Sequence, residues 1–72
     1  MPDIQLKILK KLSRHQWTDA IDLPGTGHSL VALERKRLVE YIDSSLFGYY
    51  TPRRFSHKYR LSEAGESFLA RQ

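Results

Sequence analysis

The spacing of apolar residues changes period once along this chain, and that change dictates a mixed architecture. Ile4, Ile8, Leu9 and Leu12 recur at helical spacing, whereas Phe55, His57, Tyr59 and Leu61 alternate with Ser56, Lys58 and Arg60 at the strand period of two. A pattern built for one period does not settle in the other. Helices therefore come first and strands follow. Seventy-two residues admit one domain, 1–72, and a chain this short buries only about 60% of the surface its unfolded form exposes.

The order of elements follows from the punctuation. Asp3 opens helix one, whose apolar stripe faces the core and whose Lys7, Lys10, Lys11 and Arg14 lie on the opposite side, read as a solvated face. Thr18 and Asp19 are placed as the N-cap and first turn of a short second helix through Ala20, Ile21 and Leu23, stopped by Pro24. Pro24-Gly25-Thr26-Gly27 is a turn, and Thr26 caps a third helix running from His28 to Leu38. At 100° per residue Leu30 and Leu33 point to the core with Leu38 at its edge, while His28, Ala32 and Arg35 point away with Lys36 beside them. Two helices joined by a tight glycine-containing turn make a helix-turn-helix.

Val39 to Ile42 reads as the first strand, and Thr51-Pro52-Arg53-Arg54 suits a type I turn at the tip of a hairpin. A hairpin with two arginines at its tip is a wing. Ser44 to Tyr50 either extends the first strand or forms an irregular loop, and periodicity does not choose between them. Ser62 caps a last helix with Glu63 in its first turn and Ala64, Phe68 and Leu69 facing the core. The predicted fold is α+β in the order α-α-α-β-β-α: a winged helix-turn-helix with a three-helix core, a β-hairpin wing and a short C-terminal helix.

Charge is segmental. Twelve Lys and Arg against eight Asp and Glu leave a formal +4, and no acid occurs between Ser44 and Ser62 or between Gln5 and Thr18. Such segments favour polyanionic partners. Cysteine is absent, which removes disulfides, thiolate nucleophiles and sulfur-ligated zinc. No apolar run approaches the roughly 20 residues that span a bilayer, so a cytoplasmic protein without membrane association is expected, nucleoid-associated when bound to DNA. His15, His28 and His57 lack the short ligand pairs of a zinc site. Neither a nucleophile elbow nor a phosphate-cradling glycine loop is present. No enzyme activity, metal or cofactor is expected.

Two segments then carry a resemblance. Leu33-Glu34-Arg35-Lys36-Arg37-Leu38-Val39 resembles the end of the recognition helix in MarR-like and PadR-like winged-helix regulators, and Tyr59-Arg60-Leu61-Ser62-Glu63-Ala64-Gly65 resembles their second wing strand and following helix. The resemblance covers about half of the chain and implies a transcription regulator or accessory factor. Arg37 stands where those families often place glycine, so a left-handed glycine cap is not expected there. Those families dimerise through extra terminal helices, and dimerisation of that type is not expected here; the oligomeric state stays open. The aromatic stretch Phe47 to Tyr50 is not explained by the resemblance.

For double-stranded DNA the candidate contacts are Thr26, His28 and Ser29 at the start of the recognition helix, Arg35 further along it, and Arg53, Arg54 and Lys58 in the wing, with Arg60 beside Lys58. Thr26 and Ser29 serve equally well as capping residues. Arginine at a hairpin tip suits the phosphate backbone or the minor groove. Trp17 reads as a core anchor, not a base-stacking platform. The rival from another class is a protein-interaction module that uses Phe47, Tyr49 and Tyr50 as anchors, since aromatics and arginine dominate interface hot spots.

Overall fold

The computed structural model describes residues 1–43 and 53–72. The Ser44–Tyr50 segment, with Phe47, Tyr49 and Tyr50, and the turn positions Thr51 and Pro52 lie outside the described residues. Along the chain run α1 (Asp3–Lys11), β1 (Thr18–Asp19), a 3-10 turn (Ala20–Asp22), α2 (Gly27–Arg35), β2 (Val39–Asp43), one helical turn α3 (Arg53–Ser56), β3 (His57–Leu61) and α4 (Glu63–Ala70). The result is a small α+β fold in which helices pack on a three-stranded antiparallel sheet of order β1-β3-β2. Among the described residues no helix is long and apolar enough to cross a membrane.

α1 forms where the sequence demands it. Asp3 lies in its first turn and Lys10 and Lys11 in its last, each on the side of the helix dipole that favours its charge, and Gln5, Ile8 and Leu9 are buried. The core gathers Ile8, Leu9 and Leu12 from α1 with Ala20, Leu23, Leu30, Leu33, Val39, Tyr59 and Leu61, and Leu38, Phe68 and Leu69 pack against it. Tyr59 is fully buried in central β3 and donates its hydroxyl to Glu34 Oε2 at 2.7 Å. The polar end of the ring thus meets an acceptor, which a buried tyrosine needs.

Four expectations change. Thr18 and Asp19 do not cap a helix: they pair with Tyr59 and Lys58 of β3 as strand β1, and the expected second helix shrinks to the three-residue 3-10 turn. Thr is as much a strand former as a cap, and the long-range partner that decides between the two is invisible to local spacing. Arg53 and Arg54 open the helical turn α3 ahead of β3, so β3 begins at His57 and Phe55 does not belong to it. Buried Ser56 sits at the junction with its hydroxyl 2.9 Å from His57 Nδ1. Trp17 is half-buried outside the core, with the Arg60 guanidinium 4.4 Å above its ring. Ala64 is exposed, and buried Gly65 takes the core position with half-buried Phe68 and Leu69; a Cβ at Gly65 would collide with the Leu38 carbonyl.

The end of α2 also differs from expectation. α2 stops at Arg35, and Arg37 adopts φ 58, the left-handed conformation that costs a non-glycine residue about 1–2 kcal/mol. Its N–H donates to the Glu34 carbonyl at 3.0 Å and that of Leu38 to the Leu33 carbonyl at 3.3 Å, the paired bonds of a Schellman closure. The left-handed cap is therefore made without glycine. Ser62, the cap of α4, accepts from the Gly65 N–H at 3.0 Å and donates its hydroxyl to the Arg37 carbonyl at 2.7 Å.

Candidate nucleic-acid interface

α2 has one side for the core and one for solvent. Leu30 and Leu33 are buried, while Thr26, His28 and Arg35 are exposed. The helix follows a turn that Gly25 makes with φ 86, and a Cβ there would sit 2.9 Å from Ile4 Cγ1 and 3.3 Å from Ser29 Oγ. That close approach of α1 holds the start of α2 and leaves Ser29 half-buried beside the turn. Thr26 makes no capping bond through its side chain, so its hydroxyl is not spent on the helix start.

The electrostatics of α2 are one-sided. No acid lies in its first turn, where the N–H groups lack intrahelical partners and attract anions. Glu34, the acid of this helix, accepts from Tyr59, so the side with His28, Ala32 and Arg35 carries no carboxylate. His28 and Arg35 are seven residues apart, about 10 Å along the axis. His28 belongs to the helix start and Arg35 to its end.

α3, whose first two residues are Arg53 and Arg54, packs against the 3-10 turn and against α2. Lys58 goes elsewhere. Tyr59 points to α2, so its strand neighbours Lys58 and Arg60 project from the opposite face of the sheet. There Lys58 Nζ lies 3.7 Å from Asp19 Oδ1. Arg60 Nε lies 2.7 Å from Glu40 Oε1, and Arg14 Nη1 reaches the same oxygen at 3.0 Å. The Arg60 hydrogen bond, with the nearby charges of Arg60 and Arg14, holds the Glu40 carboxyl below its ordinary range. Of the candidate contacts, Thr26, His28, Ser29 and Arg35 thus lie on α2 or at its N-cap, Arg53 and Arg54 lie in α3, and Lys58 lies on the far face of the sheet beside Asp19.

Sequence reasoning missed Asp19 and Glu40 as partners of the basic strand. The signal lay in the strand register, which sets Asp19 opposite Lys58 and Glu40 opposite Arg60. His57, the other histidine near the hairpin, is stacked on Tyr41 with ring centroids 5.3 Å apart. Among the described residues no three His, Asp or Glu side chains gather as a metal-ion site. No family model, curated protein or solved structure matches the chain.

Proposed function

We propose that this chain is a winged helix-turn-helix domain that binds double-stranded DNA, as a small transcriptional regulator or accessory factor of the kind its MarR-like and PadR-like segments suggest. The observation that carries the reading is the carboxylate-free exposed side of α2, set on a helix whose other side is consumed by the core. The β1-β3-β2 sheet beside α2 is compatible with that fold. In this reading α2 enters the major groove, where Thr26, His28 and Ser29 at its start meet base edges and phosphates. Arg35 serves the backbone. Arg53 and Arg54 grip an adjacent backbone or the minor groove, and phosphate neutralisation supplies most of the affinity.

The test is fluorescence-anisotropy titration of a random-sequence duplex at several salt concentrations. The wild type is expected to bind at low salt, with log affinity falling linearly against log salt by about 0.9 per neutralised phosphate. Arg53→Ala/Arg54→Ala is expected to flatten that slope by about 2. His28→Ala is expected to weaken a selected sequence more than a random one. Absence of wild-type binding at low salt overturns the reading.

A further inference from the structure

Two groups of three cations stand in contrast among the described residues. Arg14, Lys58 and Arg60 each meet a carboxylate within 4 Å. Lys7, Lys10 and Lys11 of α1 are exposed and make no ion pair among the described residues. At 100° per residue the three lysines occupy an arc of about 100°, opposite the buried Ile8, Leu9 and Leu12. Asp3 shares this side of the helix without an ion pair to any of them. Three ammonium groups are thus presented together and left to solvent.

We infer that this lysine stripe is a phosphate-backbone contact for a DNA duplex, a second nucleic-acid surface apart from the start of α2. Lys7 to Lys11 spans about 6 Å of helix axis, a length over which a duplex presents about three phosphate charges. Ammonium groups on long stems meet phosphate as point charges and need no exact geometry. A lipid surface is the lesser fit, because Ile8, Leu9 and Leu12 are buried in the core and the apolar residues nearest the lysines, Ile4 and Leu6, are half-buried, which leaves no fully exposed apolar face to insert among acyl chains. The inference rests on the DNA-binding reading for the class of polyanion, and adds where a second backbone is held.

The test is amine acetylation of the full chain, read lysine by lysine by mass spectrometry, with and without a random-sequence duplex at low salt. Lys7, Lys10 and Lys11 are expected to be protected severalfold by the duplex. In parallel titrations Lys7→Gln/Lys10→Gln/Lys11→Gln is expected to flatten the salt slope by about 2.7, and the corresponding triple Arg variant to retain it. Duplex binding with the three lysines as reactive as in the free protein overturns the stripe and leaves the DNA-binding reading standing. No duplex binding at all overturns both. Protection by phosphatidylserine vesicles without protection by duplex overturns the inference in favour of a membrane contact.

Discussion

The outer face of the sheet and the outward side of α1 carry equal numbers of named cations and opposite electrostatics. On the sheet, Arg14, Lys58 and Arg60 stand among Asp19 and Glu40; on α1, Lys7, Lys10 and Lys11 have no acid within ion-pair distance among the described residues. In the sequence both sets lie in acid-free windows. The difference arises in three dimensions, because antiparallel pairing imports acids from elements 20 or more residues away while an exposed helix face imports none. Local charge density is therefore a poor guide to a free basic surface wherever a strand is involved.

The comparison can be broken most severely at the support that both regions share. Tyr59→Ala empties the fully buried site between β3 and α2, and a loss of about 3–5 kcal/mol is expected, a large part of the roughly 4–10 kcal/mol available to a chain of this length. Chemical denaturation followed by circular dichroism measures it; a loss below 1 kcal/mol would mean that the ring does not tie the sheet to the helices. Gly65→Ala drives a methyl group into the Leu38 carbonyl and is expected to cost about 1–3 kcal/mol by the same measurement.

Glu40→Gln sharpens the comparison directly, by removing the carboxylate that Arg14 and Arg60 share. The folded Glu40 carboxyl titrates below its ordinary value of 4.5, so its stabilisation is complete above that pH and is lost as pH falls through the lower folded value. The wild-type thermal midpoint is expected to hold as pH drops to about 5 and to decline below it. The variant is expected to start lower and to lack that part of the decline. Its duplex-binding salt slope is expected to match the wild type; a steeper slope would make the sheet face a latent nucleic-acid surface and erase the distinction from α1. The smallest effect is expected for Arg37→Gly. Relief of the left-handed backbone and the greater freedom of unfolded glycine nearly offset each other, leaving a gain of about 1 kcal/mol or less, read from the denaturant midpoint.

Much of the fold was legible because the apolar periods and caps agree with the final packing. Leu30 and Leu33 turn inward, Ser62 caps α4 through its hydroxyl, and β2 and β3 pair as a hairpin's strands would. Two of the failures involve β3 and one is local. β1 pairs with β3, Trp17 lies outside the core with Arg60 of β3 over its ring, and Arg37 adopts the left-handed conformation within the bonds that close α2. The first two outcomes depend on residues far along the chain, whereas the closure at Arg37 is local. The candidate site divides the same way: Thr26, His28 and Arg35 are where helical geometry puts them, while the fate of Lys58 required knowing which strand lies beside β3.

The bonds of Ser62 have a mechanical consequence. One hydroxyl ties the carbonyl of Arg37, just past α2, to the first turn of α4, and the Ser62 N–H adds a bond to the Leu38 carbonyl at 3.2 Å. A pull on α4 is thus delivered to the far end of α2 within a few ångströms, like a tiller joined to its rudder. Load placed on the last helix would reach the C-terminal end of α2, the helix proposed to enter the major groove.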